Sequence, residues 1–431
     1  MITKNIGLMI DREKINNVFM EQILLQLGLS FNVIGQEEAT EYNVIVSCRD
    51  LNESSKRLIV FNPADIIDFQ QGERSFEDAK DCDRPICDIA KLKLLERIGE
   101  QSDLPIPFIE LYPHNKKSAL LLTHDVEWRI TLDHLLKSFL PLEEKRNIRS
   151  TLFFRPLHAD YSPPNAKILR SLRGRGFEIA VHGDKNPSSG YKSDDSLENI
   201  IHEKRIIESL LDQNVFGHAL HGGRMLNKNI NFYHIAGYEY ERTLLCADTV
   251  RNIGKGFPYG TAWPWHVIFN NQRLDLISLP CHFQEGYWID PTISLGTTTL
   301  FDLTKTVNPL RPEVTAHLSQ LLDVSRIHRS TLGVIFHPED FVDANQLRDI
   351  YENFLNDVCK DDIWITTSHN LCDWWKRREN TKFDYQFKKG TLYIRTSPLD
   401  EGYFSVLNKE KISKIVINGK TYDCKDALPC K

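Results

Sequence analysis

The chain has 431 residues, of which 41% are hydrophobic and 26% charged, and its formal net charge at pH 7 is −6. This length predicts two or three domains, and the composition is that of a globular protein with a large hydrophobic core. The negative charge and the lack of a long basic tract argue against nucleic acid as a partner.

The cysteines and the longest apolar runs bear on the cellular compartment. The nine cysteines are scattered, no C-x-x-C pair occurs, and none of them has the spacing of a zinc site. The apolar run Ile6–Ile10 is too short for a signal peptide, and no stretch is long enough to span a bilayer. We therefore expect a cytoplasmic protein without a transmembrane segment.

Residues 1–113 are predicted to form a small α/β domain. Its predicted strands are Ile6–Ile10, Tyr42–Val46 and Arg57–Phe61. The segment Val18–Leu27 has the spacing of a helix between them. The prolines of Leu104–Pro107 then predict an extended joint to the next domain. No catalytic motif occurs in this domain, and we assign no chemistry to it.

Strand and helix patterns alternate across residues 114–378. The predicted strands are Leu120–Asp125, Ser150–Phe154, Phe177–Val181, Val215–Leu220, Tyr238–Leu245, Leu274–Leu279, Leu332–Phe336 and Ile363–Thr367. The predicted helices are Leu132–Phe139, Ala166–Leu172, Leu197–Leu211, Val314–Leu322 and Ala344–Val358. Such alternation predicts βα units around a parallel sheet, as in a barrel or a doubly wound sheet. No glycine-rich phosphate-binding motif follows a strand, which disfavours a nucleotide-binding fold.

The first of these strands ends in a cluster of polar residues. The apolar run Ala119–Leu122 is typical of a parallel strand that is buried on both faces. Because side chains alternate along a strand, Asp125 and Glu127 are predicted on one face and His124 on the other. Two adjacent carboxylates at the end of a buried strand need a cation, a shared proton or a basic neighbour. The structural alternative is an aspartate that caps a helix beside a glutamate in a surface ion pair.

Ionisable or ligand-type side chains follow nearly every predicted strand. Besides the first pair, they are Arg155, His182, Asp184, His218, His221, Arg224, Cys281, His282, His337, Glu339 and His369. A single histidine in such a place is more often a hydrogen-bonded structural residue than a ligand. In a βα-barrel, however, the active site is built at the carboxyl ends of the strands, and the coincidence of several such ends favours a barrel.

The order and spacing of these motifs resemble those of the polysaccharide deacetylase (NodB-homology) superfamily across roughly residues 114–378. Thr123–Glu127 resembles its first motif, Gly176–Gly183 its second, Gly222–Arg224 its third and Gly333–His337 its last. The resemblance implies a distorted (β/α) barrel. It also implies removal of N-acetyl, or sometimes O-acetyl, groups from sugars with the help of a divalent metal, above all zinc.

The resemblance also implies a role for each matching residue. Asp125 would be the general base that activates water, and Arg224 would hold Asp125 in place. Glu127 and His182 would be metal ligands, and His337 would protonate the departing amine. These roles are chemically coherent, because an amide is a poor electrophile and its amine is a poor leaving group.

One position departs from the family pattern. The second motif usually carries a further histidine four residues after the first, where this chain has Asn186. Asparagine is a weaker zinc ligand than imidazole. This leaves three alternatives. Another residue supplies the third ligand, with Asp184, His218 and His221 as candidates. Otherwise the metal is held by two residues and more water, or the metal is absent.

An aromatic run precedes the sixth predicted strand. Sugar rings present flat C–H faces that pack on aromatic rings, so Tyr259, Trp263 and Trp265 are candidates for contacts with substrate. The alternative is that this run plugs the barrel.

Residues 379–431 are predicted to form a small β module. Aromatic residues alternate with polar ones from Phe383 to Phe387, and Asn418-Gly419 predicts a hairpin with a type I′ turn. The sequence leaves open whether the module packs on the barrel or binds glycan.

Two functions of different classes follow from these observations. The first is a metal-dependent hydrolase that removes an acyl group in bacterial surface polysaccharide biosynthesis, acting on an acetylated sugar, a nucleotide-sugar or a lipid-linked glycan. The second, motivated by Asn186, is a non-catalytic carbohydrate-binding or scaffold protein on a degenerate deacetylase barrel. A glycosidase that uses Asp125 and Glu127 is disfavoured, because both carboxylates would lie on the same side of the substrate.

Overall fold

The computed structural model describes fifteen segments of the chain. They are residues 4–9, 14–48, 58–61, 81–82, 84–126, 129–156, 165–183, 196–220, 229–242, 257–258, 260–284, 311–337, 344–359, 362–425 and 427–430.

The chain begins with a small parallel sheet. Its strands are β1 (Lys4–Met9), β2 (Asn32–Ile34), β3 (Tyr42–Ser47) and β4 (Leu58–Val60), with helix α1 (Lys14–Gln26) after the first. The strand order is β2-β1-β3-β4. Every residue of β3 is buried, as expected for a strand covered on both faces. The predicted strands and helix of this region are confirmed.

A ten-stranded sheet forms the centre of the molecule. Its strands are β7 (Ser118–Val126), β8 (Thr151–Phe154), β9 (Glu178–Gly183), β10 (Gly217–Leu220), β11 (Tyr240–Glu241), β13 (Trp265–Phe269), β14 (Gln272–Ser278), β15 (Phe283–Gln284), β16 (Thr331–Ile335) and β17 (Ile363–Thr366). The order is β13-β14-β11-β10-β9-β8-β7-β16-β15, and β17 also pairs with β7. All of these pairs are parallel except the β13–β14 hairpin, which the sequence did not predict.

Helices alternate with these strands, as predicted. They are α3 (Arg129–His134), a π-helical turn (Leu135–Phe139), α4 (Leu140–Lys145), α5 (Ala166–Gly174), α6 (Leu197–Leu211), α7 (Ile230–Ile235), α8 (Arg311–Ile327), α9 (Ala344–Val358) and α10 (Ser368–Asn380). No helix within the fifteen segments combines the length and the apolar character needed to cross a membrane.

The sheet curls upon itself, as a barrel requires. Leu120 and Leu122 lie in one core with residues of helices α3 to α9, whereas Ala119 and Leu121 lie in a second core with inward residues of neighbouring strands, which continues to α1 and α10, in keeping with the period of two along a strand. Arg242, which follows β11, donates a hydrogen bond to Asp125 on β7, although three strands separate β11 from β7 in the sheet order. The predicted mixed α/β class with a distorted parallel barrel is confirmed.

Helix α2 (Ile86–Gln101) joins the N-terminal elements to the barrel through a buried polar network. The carboxylate of Asp88 is fully buried and accepts hydrogen bonds from the backbone N–H groups of Ala262 (2.6 Å) and Trp263 (3.0 Å). It also accepts one from Lys91 Nζ at 2.9 Å, and this ammonium lies 5.3 Å from the centroid of the Trp263 ring. A second link is the antiparallel pair β5 (Asp81–Cys82) and β12 (Phe257–Pro258).

Replacing Trp263 by alanine is expected to lower the free energy of unfolding by about 3–5 kcal/mol, because a fully buried aromatic side chain would leave a cavity. Urea denaturation of the whole chain measures this. The matched control is Tyr393→Ala, since Tyr393 is 46% exposed and its loss should change stability by no more than about 0.5 kcal/mol. Equal effects of the two substitutions would contradict the buried placement of Trp263.

The last part of the chain consists of strands, as predicted. They are β18 (Phe383–Lys388), β19 (Thr391–Thr396), β20 (Tyr403–Leu407), β21 (Lys414–Ile417), β22 (Lys420–Tyr422) and β23 (Leu428–Pro429). Asn418 (φ 47°) and Gly419 (φ 85°) both have positive φ, which confirms the type I′ hairpin. β20 pairs with β6 (Ile106–Ile109), so the chain around the predicted extended joint is part of a sheet.

Candidate active site

Asp125 lies at the carboxyl end of β7, on the inner face of the barrel, and is 5% exposed. Arg242 Nη2 donates to both of its oxygens, at 2.7 Å to Oδ1 and 2.8 Å to Oδ2. The other terminal nitrogen of Arg242 donates to Thr123 Oγ1 at 2.9 Å. The guanidinium also stacks over the Phe153 ring, at 4.3 Å from its centroid. The carboxylate is therefore held in one orientation by a buried cation.

His182 lies at the end of β9 and is 1% exposed. Its Nε2 lies 3.3 Å from Asp125 Oδ2. Its Nδ1 lies 3.1 Å from the carbonyl oxygen of Ala219 on the neighbouring strand. Because a carbonyl can only accept, Nδ1 carries a proton and Nε2 is the nitrogen that faces Asp125.

His337 reaches the same carboxylate from the other side. It follows β16, is 6% exposed, and its Nε2 lies 3.5 Å from Asp125 Oδ2. Three of the predicted site residues, from strands more than 50 residues apart in the chain, thus meet at one carboxylate oxygen. This arrangement places a carboxylate and two imidazoles at one rim of the barrel.

The charge of Asp125 is stabilised in the fold. Burial alone would raise its pKa, but the Arg242 guanidinium and His182 outweigh burial and hold the pKa of Asp125 well below its ordinary value. Asp125 is therefore an ionised carboxylate throughout the neutral range.

This lowered pKa predicts how stability depends on pH. A carboxyl whose pKa is depressed by folding contributes stability above the pKa of the unfolded chain, about 3.9 for aspartate, and loses that contribution as the pH falls through the folded pKa. We expect the difference in free energy of unfolding between the natural chain and Asp125→Asn to shrink below about pH 4. Denaturation of both proteins between pH 6 and pH 3 measures it, and a difference that stays constant would contradict this electrostatic environment.

The role predicted for Arg224 is filled, among the described residues, by Arg242. Arg242 is 4% exposed and contacts both Asp125 and the neighbouring Thr123. The sequence prediction missed it, because a strand was expected to continue past it. The predicted site residues that fall outside the described segments are Glu127, Asp184, His221, Arg224 and Tyr259.

His218 does not join the cluster, and its candidacy as a third metal ligand is wrong. Its side chain points outward, where it lies between the rings of Tyr233 (4.6 Å) and Tyr238 (5.2 Å) in the helical layer. Ala219, the next residue, takes the inward position beside His182. Burial lowers the pKa of His218 to about 3, so this imidazole is neutral at neutral pH.

Trp263 and Trp265 do not offer a surface to sugar, and their prediction as substrate contacts is also wrong. They are 0% and 2% exposed, and Trp263 Nε1 donates to the carbonyl of Arg329 at 3.0 Å. The interpretation of this stretch as a plug of the barrel fits these two residues. Asp88 accepts hydrogen bonds from the backbone N–H groups of Ala262 and Trp263, which hold this part of the run in the interior.

His282 is a second histidine at a strand end with a structural role. Its Nδ1 accepts a hydrogen bond from the backbone N–H of Gly333 at 2.9 Å, and Nε2 faces the carbonyl oxygen of Thr261 at 3.3 Å. Burial lowers the pKa of His282 to about 4. This neutral imidazole ties the segment before β13 to β16.

The donor set at Asp125 fits part of a metal site. A metal-binding histidine commonly donates its other ring nitrogen to a carbonyl or carboxylate, and His182 does so through Nδ1, which leaves Nε2 available as a ligand. Among the residues with described positions, no group of three or more potential ligands has the arrangement needed to hold an ion. The predicted ligand Glu127 lies outside those residues.

Comparisons with known proteins give similarity in three-dimensional shape. No family model matches the chain, and the comparison with curated proteins gives no match. A proposed polysaccharide deacetylase from Mycobacterium smegmatis is similar over 62% of this chain and 93% of its own, with 16% identity and a TM-score of 0.45. A proposed polysaccharide deacetylase involved in O-antigen biosynthesis from Bordetella bronchiseptica is similar over 57% and 84%, with 16% identity and a TM-score of 0.32. A CE4 family pseudoenzyme from Bacillus anthracis is similar over 61% and 67%, with 14% identity and a TM-score of 0.34. Values this low carry no activity from those proteins to this chain.

Proposed function

We propose that this chain is a hydrolase that removes an N-acetyl or related acyl group from a sugar in bacterial surface polysaccharide biosynthesis. The observation that carries the proposal is the convergence of His182 and His337 on one oxygen of a buried Asp125 that Arg242 orients. Hydrolysis of an amide needs a proton acceptor for water, an electrophilic group for the carbonyl and a proton donor for the amine. This cluster can supply the acceptor and the donor.

Asp125 is the proposed general base. Arg242 keeps it ionised and aimed by donating to both carboxylate oxygens, so it is ready to accept the proton of an attacking water. Because its pKa is held well below the ordinary value, Asp125 is a weak base on its own, and the water must be made more acidic. A divalent cation, zinc by its preference for imidazole and carboxylate, would supply that acidity and polarise the carbonyl when held by His182 and Glu127.

His337 is the proposed general acid. Its Nε2 reaches the same carboxylate oxygen as His182 does, so one small volume contains both the acceptor and the donor of the protons that hydrolysis moves. The substrate amide must therefore bind with its carbonyl carbon near Asp125 and its nitrogen toward His337. General acid–base groups of this kind typically accelerate a reaction by about 10²–10⁴-fold each.

Acetate release from a panel of N-acetylated sugars, nucleotide-sugars and oligosaccharides tests the proposal. We expect release that a chelator abolishes, that added zinc restores, and that Asp125→Asn lacks. The alternative function, motivated by Asn186, is glycan binding without catalysis. It predicts no acetate release, together with binding that neither Asp125→Asn nor the chelator changes.

A further inference from the structure

The outer face of β7 carries a buried polar cluster directly behind Asp125. It consists of His124 on β7, Glu143 on α4 and Tyr351 on α9, and all three side chains are fully buried. His124 Nε2 lies 2.9 Å from Glu143 Oε1, and the Tyr351 hydroxyl donates to the same oxygen at 2.7 Å. The ring of His124 meets those of Phe139 (5.8 Å) and Tyr351 (5.7 Å) edge to face. The orientation of the imidazole is thus fixed from two helices.

The other nitrogen of His124 reaches the strand that carries His337. Nδ1 lies 3.0 Å from the carbonyl oxygen of Phe336, the residue just before His337. Because a carbonyl accepts, Nδ1 is the donor of this bond. The backbone N–H of Phe336 donates in turn to the carbonyl of Thr123 at 3.0 Å. Both backbone polar groups of Phe336 are therefore held by two consecutive residues of β7.

These contacts join the two residues that precede the proposed base and acid. His124 precedes Asp125, and Phe336 precedes His337, beyond the last residue of β16, Ile335. We infer that His124 is a positioning residue, clamped by Glu143 and Tyr351, whose bond to the Phe336 carbonyl fixes the separation of Asp125 and His337. The expected effect on catalysis rests on the proposed function, whereas the positioning of His337 by the bond from His124 to Phe336 rests on geometry alone.

Two substitutions of His124 separate its two hydrogen bonds. The amide nitrogen of asparagine is as many bonds from Cα as Nδ1, so His124→Asn can keep the bond to Phe336 and loses the one to Glu143. The amide of glutamine reaches the position of Nε2, so His124→Gln keeps the bond to Glu143 and loses the one to Phe336. The first variant keeps the bond to Phe336, and the second keeps a hydrogen-bond partner for the buried Glu143 carboxylate.

We expect kcat for acetate release to fall by about tenfold or more in His124→Gln, with KM changed by less than about twofold, because the reacting groups lose their alignment. In His124→Asn, kcat should stay within about threefold of the natural chain, although this variant is the less stable because it removes a partner of buried Glu143. A merely structural role predicts the reverse order of kcat, following stability, and that result would overturn the inference.

A second measurement does not require activity. Modification of His337 by diethyl pyrocarbonate, located by mass spectrometry, reports whether this 6% exposed side chain is still held. We expect the rate to rise by about fivefold or more in His124→Gln and to change by less than about twofold in His124→Asn. If His124→Gln does not fold, His124→Phe replaces it, because a phenylalanine ring fills the space of the imidazole and has no donor for the Phe336 carbonyl, and the same rise of about fivefold or more is expected. Unchanged rates of His337 modification in His124→Gln, or in its replacement, would show that the bond from His124 to Phe336 does not hold His337, and would overturn the inference. Absent acetate release together with the expected modification rates would overturn only the proposed function.

Discussion

Arg242→Ala is expected to abolish most of the activity and to lower the free energy of unfolding by about 3–5 kcal/mol. The reason is that Asp125 is 5% exposed and Arg242 is the one cation seen to donate to both of its oxygens among the described residues. Without it, a buried carboxylate loses its counter-charge and its fixed orientation. Urea denaturation and kcat/KM for acetate release measure the two effects.

Arg242→Lys and Arg224→Ala are the matched controls for this substitution. Lysine restores the positive charge, but a single ammonium cannot reproduce the planar guanidinium that contacts Asp125 and Thr123 together. We expect Arg242→Lys to recover more of the stability than of the activity. If Arg224→Ala removed activity and Arg242→Ala did not, the positioning role would belong to Arg224.

His337→Gln is expected to lower kcat for an N-acetylated sugar by about 10²–10⁴-fold, because the amine would leave without a proton donor. For an aryl acetate, whose phenolate leaves without protonation, the same variant should lose less than about tenfold. Asp125→Asn should lose activity on both substrates, since both need an activated water. Comparing kcat for the two substrates in each variant measures the difference.

Equal losses of His337→Gln on the amide and on the aryl ester would contradict a general acid role. They would indicate that His337 instead orients Asp125, since Nε2 of His337 lies 3.5 Å from Oδ2 of Asp125. Thermal or urea denaturation of the variant excludes loss of folding as the cause.

Most of the barrel could be predicted from sequence because its strands are continuous apolar runs followed by polar residues. This pattern located β7, β9 and β16, and with them Asp125, His182 and His337. Parallel strands that curl into a barrel bring their carboxyl ends together, so the position of each residue along its own strand was sufficient to place it at the rim.

Arg242 was missed for a reason that lies in the same pattern. The segment Tyr238–Leu245 was predicted as one strand with Arg242 in its middle, whereas the structure ends that strand at Glu241. The adjacent charged residues Glu241 and Arg242 were the available signal of a strand end. Arg242 is stable in the barrel interior because it donates a hydrogen bond to the carboxylate of Asp125 on a distant strand.

Whether Trp263 and Trp265 are exposed or buried could not be predicted from the local sequence. An exposed aromatic platform and a buried plug have the same composition. The residue that decides between them, Asp88, lies 175 positions before Trp263 in the chain and holds its backbone N–H at 3.0 Å. The pairing of β6 with β20 was missed for the same reason, since it joins segments almost 300 residues apart.

A crystal structure of Asp125→Asn with an oligomer of N-acetylglucosamine tests most directly whether the cluster at Asp125 acts on an acylated sugar. The proposed function predicts that one acetamido group lies at the cluster, with its nitrogen about 3–3.5 Å from His337 Nε2 and its carbonyl carbon facing residue 125. An oligomer bound with every acetamido group remote from His182 and His337 would contradict it.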